Sequence, residues 1–428
     1  MSNPVFLYNN MINQSMKHCK VEEIPFAGLE GWIFDDNSGN LYHETGKYFS
    51  VEGMIVKTNY NKINEWMQPI INQPEVGILG LLTKVVNNKR YFLIQYKFEP
   101  GNVNIFQLSP TVQATESNFL LVHSGKKTKY LGYFLNNTSN IILYDHLQSE
   151  QGGRFYRKRN RNMVVEIDED IDIDNDIFNW FSTDDLIKLF QIDNLINMDL
   201  RSVLCCIVKR KPVEESYKTN DEIINWVSKL KYNNKLDIEI IYLKDIKDWI
   251  KTEFEIKHTE NKYFSVNAVK VDTKCREVNH WCQPMIKDHR LGFVGFIICY
   301  INETLHFLVQ GKCEAGSFDK LLLGPTVQCS GYLQTLEHNQ PEYLELFTNS
   351  SRDKIKYDVV QSEEGGRFYQ IQDRHMIIEI DNHDDIEILD NYYWFSYNQL
   401  LDFIKHSYFN VEARSLFTCY NVIYQGKS

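Results

Sequence analysis

The sequence predicts a mixed α/β (α+β) fold made of two tandem units from an internal duplication, each with mixed sheets and flanking helices. Three observations carry this prediction. KYFSV at Lys47–Val51 returns at Lys262–Val266, 215 positions later; most of each half has strand-like apolar spacing; and capped helix starts come late in each half. At 428 residues and 43% hydrophobic, the chain can bury two ordinary cores. The expected division is a first unit over 1–208, a linker over 209–236 and a second unit over 237–428, each unit too long to be one layer of a solenoid.

Taken in order, each unit justifies its own elements. Trp66, Gln68 and Pro69 fall on Trp281, Gln283 and Pro284, an apolar strand-like stretch whose tryptophans read as core more readily than as a stacking surface for a base. GILGLLTKVVNNKRYFLIQYKFE then predicts a hairpin turning at Asn87-Asn88, and GFVGFIICYINETLHFLVQGKCE repeats it with Asn302-Glu303. PTVQ at Pro110–Gln113 returns at Pro325–Gln328, and QSEQGGRFY at Gln148–Tyr156 returns as QSEEGGRFY at Gln361–Tyr369. MVVEI and MIIEI follow as buried strands. Ser182 with Asp185, and Ser396 with Gln399, have capping-box spacing ahead of apolar-periodic runs. In the polar linker, DEIINWVSKLK predicts one short amphipathic helix.

Composition and absent motifs exclude several functions. With 57 acidic against 46 basic residues the net charge is −11, which disfavours a nucleic-acid partner. The opening MSNPVFLYNN has no basic region followed by an apolar run, and no apolar stretch approaches a membrane span, so a cytoplasmic protein without membrane attachment is expected. Nine scattered cysteines fit reduced thiols rather than a disulfide framework. No phosphate loop, dinucleotide fingerprint, nucleophile elbow or H-E-x-x-H is present, so no cofactor and no metal are expected; Cys275, His280 and Cys282 lack counterparts in the other unit and read as ordinary side chains.

What remains is polar and repeated. In SEQGGRFY a carboxylate, a flexible Gly-Gly and an arginine could converge on an anion, with a structural Glu–Arg pair as the bland alternative. RKRNRN adds Arg157, Arg159 and Arg161, which on a strand would share one face suited to a diphosphate; the second unit keeps only Arg374 in register with Arg161. The first unit is therefore favoured as the active one. Its expected catalytic groups are Glu150, His43, Tyr156 and Glu99, and its expected substrate-binding groups are Gln113, Gln148, Arg154, Arg157, Arg159, Arg161, Asn162 and Lys97. A second site would use His258, Glu314, Gln328, Glu363, Arg367, Tyr369 and Arg374. Turn-capping histidines, Lys97–Glu99 and Lys312–Glu314 pairs and core tyrosines are the ordinary alternatives.

The combination of HETGKYFSVEG, KFEPGNVNIFQLSPTVQATESNF, QSEQGGRFYRKRNRNMVVEI and the second-half GPTVQC with QSEEGGRFY resembles the NDP-hexose 2,3-dehydratase family of deoxysugar biosynthesis over nearly the whole chain. That resemblance implies two Nudix-like domains, a homodimer, and a nucleotide-sugar pocket in each domain, whether working or remnant. It also implies loss of water across C2 and C3 of dTDP-4-keto-6-deoxyglucose, giving a 3,4-diketo-2,6-dideoxy sugar handed to a ketoreductase. Thymidine selection rests on the family alone. The competing expectations are a nucleotide-sugar epimerase or isomerase, and a Nudix diphosphate hydrolase, whose metal box G-x5-E-x7-R-E-x2-E-E-x-G is in neither half.

Overall fold

The computed structural model describes residues 18–60, 63–115, 128–135, 141–212, 215–276, 278–334 and 340–425; the opening MSNPVFLYNN lies outside them. Asn87 and Asn88 both take positive φ, 50° and 61°, so Gly77–Val86 turns directly into Lys89–Phe98. A tight hairpin needs that left-handed backbone, which asparagine tolerates. Asn302 and Glu303, at 50° and 64°, make the same turn between Gly292–Ile301 and Thr304–Lys312.

Each hairpin is the centre of a seven-stranded mixed sheet, and the two sheets share one strand order. In the first, Ile141–Ser149, Arg159–Glu166, Gly77–Val86, Lys89–Phe98 and Phe178–Ser182 lie side by side, with Phe106–Ser109 and Val112–Ala114 attached to the hairpin. In the second the order is Ile355–Ser362, Gln372–Glu379, Gly292–Ile301, Thr304–Lys312 and Tyr392–Ser396, with Leu322–Gly324 and Val327–Cys329 attached. MVVEI and MIIEI form the parallel neighbours of the hairpins. Val164 and Ile377 from them are buried in one cluster that both units share.

The helices begin where their caps stand. Ser182 and Asp185 close a reciprocal capping box before Thr183–Leu189, and Ser396 and Gln399 do the same before Tyr397–Lys405. The linker helix runs Asn220–Asn233 from a Thr219/Glu222 box and buries Ile223 and Val227. Its Trp226 stacks on Tyr393 at 5.1 Å, so the linker is fastened to the second unit.

Two smaller sheets show how the halves are joined. Cys19–Ile24, ahead of the first unit's own strands, pairs along its whole length with Ser265–Thr273 of the second. Leu236–Ile241, at the start of the second unit, pairs with Ser50–Thr58 of the first. The units exchange their opening strands. Neither small sheet is complete within the span assigned to its unit from sequence, and the shared core cluster runs from Leu79 to Ile423.

Candidate active site

The repeated nonapeptide reaches across the same junction. After Lys89–Phe98 the chain turns at Glu99-Pro100-Gly101, where the Gly101 N–H donates to the Gly365 carbonyl at 2.8 Å and the Gln370 N–H donates to the Gly101 carbonyl at 2.7 Å. A Cβ on Gly101 would collide with the Phe368 carbonyl, and one on Gly365 would collide with Asn102 and approach Glu99 to 2.8 Å. Glycine is required at both because two backbones touch there. The mirror contact joins Gly316 to Gly152. Each Gly-Gly pair therefore packs against the other unit.

The result is a cavity of about 1160 Å³ with walls from both halves. From the first unit, the buried Glu99 carboxylate takes Lys97 at 3.1 Å and the Gln113 amide at 2.9 Å, both on Oε1. Gln113 is oriented in turn by the Ser109 hydroxyl, at 3.0 Å, and the Asn197 amide, at 3.3 Å. Glu150 accepts from Asn160 at 2.8 Å. From the second unit come Lys274, Arg276, Trp281, Glu364 and Arg367. Arg367 lies over the Phe49 ring at 4.5 Å, and its Nε is buried without a hydrogen-bond partner. Among the described residues it forms no ion pair, which leaves a desolvated guanidinium for a ligand anion.

Burial separates the proton affinities in this cavity. It pushes the Glu150 carboxyl above the usual carboxylate range, against the pull of Arg414. It pushes Asp199 well above that range, and the neighbouring carboxylates Glu150, Glu364 and Glu99 add to the effect. It lowers Lys158 to about 8 and lowers Lys97, whose partner Glu99 acts in the opposite direction. Carboxyls pushed up and amines pushed down are drawn towards a common range, which equips the site for acid–base work.

Of the residues singled out in the sequence, His43, Lys97, Glu99, Gln113, Glu150 and Arg367 line this cavity. His43 also holds its turn, with Nδ1 2.8 Å from the Thr45 hydroxyl. Arg154 faces the mirror cluster, over Phe264 at 4.1 Å, where Gln328 donates to Glu314 at 3.0 Å, Lys312 stands 3.5 Å from that carboxylate, and Glu363 accepts from Gln151 at 2.7 Å. His258 sits there as His43 does here, its Nδ1 accepting the Glu260 N–H at 3.1 Å. Tyr156 packs near Met54 and Trp66, and Tyr369 is buried with Phe98 and Val269. Gln148 donates to the Tyr144 hydroxyl and the Ile404 carbonyl, and Asn162 is buried against Ser202. Trp66 and Trp281 each donate to their own Gln, but only Trp281 borders the cavity.

The arginine run does not form the single face expected of it. Arg157 has φ 50°, which ends the extended backbone before Arg159–Glu166 begins. Arg159 and Arg161 do share a face, but it is the other face of the strand, lining a separate cleft of about 700 Å³. There Arg161 is held bidentately by Asp145 at 2.7 and 2.6 Å, and Arg159 lies over Phe318 at 3.5 Å. Arg374 is likewise taken by Asp358. Lys158 and Asn160 point into the cavity instead.

Sequence reasoning missed Asp199, Lys158, Glu364, Lys274 and Arg276. One signal was available: Met-Asp-Leu-Arg-Ser at Met198–Ser202 matches Val-Glu-Ala-Arg-Ser at Val411–Ser415, so a carboxylate stands two residues before each repeated Arg-Ser.

Fold and site together bring buried carboxyls, amines and a guanidinium from both halves into one cavity, the equipment of an acid–base enzyme. The model of the NDP-hexose 2,3-dehydratase family matches residues 10–207 and again 220–420, and the chain belongs to that family. It is 38% identical to a dTDP-4-dehydro-6-deoxy-α-D-glucopyranose 2,3-dehydratase of Saccharopolyspora spinosa, over 95% of this chain and 91% of that protein. Proteins of the same description from Amycolatopsis orientalis and Streptomyces violaceoruber are 38% and 36% identical, each over 94% of this chain, covering 86% and 93% of their own lengths.

Proposed function

We propose that this protein removes water across C2 and C3 of dTDP-4-keto-6-deoxyglucose, and that it does so in the cavity built on the first unit. The observation that carries the reading is the buried Glu99, held through one oxygen by Lys97 and Gln113, in a cavity that also gathers Arg367, Arg276 and Lys274. The C4 ketone acidifies the C3 proton, and the free Oε2 of Glu99 takes it. Lys97 stands beside the enolate oxygen that forms. The C3–H electron pair becomes the C2–C3 double bond as the C2 hydroxyl leaves, and the enol product tautomerises to the 3,4-diketo-2,6-dideoxy sugar. The diphosphate lies among Arg367, Arg276 and Lys274, three cations the second unit contributes.

The ketone supplies the acidity that a metal would otherwise provide, so turnover is expected to be the same with and without EDTA. The test is incubation with dTDP-4-keto-6-deoxyglucose followed by mass analysis. The reading expects loss of one water; an isomer of unchanged mass, or release of a sugar phosphate, contradicts it. In this reading the protein works in the cytoplasm, in keeping with its scattered thiols, and, as the family resemblance implies, acts as a homodimer that passes its unstable product to a ketoreductase. Size-exclusion with light scattering checks the dimer.

A further inference from the structure

Elimination needs an acid for the departing hydroxyl as well as a base, and the base assigned above leaves that role open. The two nonapeptides differ at a single position, Gln151 against Glu364. Because the loops are exchanged, Glu364 lines the cavity on the first unit, while Gln151 lies in the mirror cluster. Glu364 is fixed but not consumed: its Oε1 accepts the Gly366 N–H at 2.7 Å, and its Oε2 is buried without a hydrogen-bond partner. A buried carboxyl oxygen left unmatched is costly unless a proton or a ligand completes it.

We propose that Glu364 of the second unit is the acid that protonates the C2 hydroxyl as it leaves in the cavity of the first. This rests on the dehydratase reading above. The step balances: Glu99 gains the C3 proton, the C3–H pair forms the C2–C3 bond, the C2–O pair takes the Glu364 proton, and water departs. The two carboxyls then return to their starting states by exchange with solvent. The local electrostatics agree, since burial, and after it the charge of Glu99, raise Glu364 to about 7, with Arg367 and the Gly366 N–H opposing. An acid must be protonated to act, so its contribution is full below about 7 and is lost as pH rises through that value. In the mirror cluster the matching side chain is an amide, with its Nε2 already donated to Glu363 at 2.7 Å. An amide cannot supply the proton, so catalysis is confined to one of the two clusters.

The test compares wild type with Glu364→Gln on the natural substrate and on its 2-deoxy-2-fluoro analogue, whose fluoride leaves without an acid. Glu364→Gln is expected to lose roughly 100-fold or more in kcat for water release, with KM within about 3-fold and fluoride release near the wild-type rate. The wild type alone should show water release falling above about pH 7 and fluoride release without that limb, so the claim stays testable even if the variant folds poorly. Undiminished water release by Glu364→Gln, or equal losses on both substrates, overturns the assignment. Wild type releasing no water at all would instead remove the dehydratase reading on which it rests.

Discussion

Replacing Arg201 with alanine is expected to destabilise the fold by about 4 kcal/mol or more, because it strips several buried acceptors of their donor and leaves a large void. Arg201 is 1% exposed and crosses from the first unit into the second. Its guanidinium donates to Ser415 Oγ at 2.6 Å, to the Gln361 side chain at 3.1 Å, to the Ser362 carbonyl at 2.8 Å, and to the Ile196 carbonyl. Arg414 makes the mirror crossing, donating to the Ser149 carbonyl at 2.8 Å, the Phe409 carbonyl at 2.8 Å and Ser202 Oγ at 3.1 Å. These two side chains hold the bases of the two nonapeptide loops to the opposite units. Against a domain stability of roughly 5–15 kcal/mol the loss leaves little folded protein. Urea unfolding measures it as a lower midpoint at unchanged slope. The control is Arg374→Ala, whose pair with Asp358 is at the surface and contributes about 0–1 kcal/mol. Equal small losses at Arg201 and Arg374 would mean that the buried crossing does not hold the units together.

The second large effect is on chemistry. Glu99→Gln should keep the fold and lower kcat by about 1000-fold, within the range for removing a positioned base. The same substitution should abolish exchange of C3 deuterium from labelled substrate. Persistent C3 exchange without water loss would move the base to another carboxyl of the cavity, with Asp199 and Glu150 the first to test.

Local chemistry was legible in the sequence wherever it is decided by neighbours in the chain. The Asn87-Asn88 turn, the capping boxes at Ser182 and Ser396 and the buried strands at MVVEI and MIIEI all follow from residues within one turn or one hairpin. The exchange of opening strands was not legible. Cys19–Ile24 pairs with residues some 250 positions away, and alternation specifies which face of a strand is buried but not which edge it joins.

The site was half legible for a related reason. Glu99, Gln113 and Lys97 stand on one strand end and one attached strand of a single sheet, so repeat and polarity together singled them out. In RKRNRN, charge drew attention to Arg159 and Arg161, whereas the pleat turns them away and directs Lys158 and Asn160 inward. Reading each nonapeptide with its own unit also put Arg154 in the wrong company, since sequence proximity says nothing of a loop that crosses to its counterpart. The same crossing made the Gln151 and Glu364 difference look trivial.

The most direct measurement of the central claim, that the second unit's loop completes the first unit's cavity, is steady-state turnover of Arg367→Ala beside Arg154→Ala, each checked for a wild-type unfolding midpoint. Loss of a charge-assisted contact to the diphosphate costs roughly 1.5–3 kcal/mol, so Arg367→Ala should raise KM about ten-fold or more while Arg154→Ala stays within about 3-fold of wild type. The opposite pattern, with Arg154→Ala impaired and Arg367→Ala normal, would show that each loop serves its own unit and contradict the account.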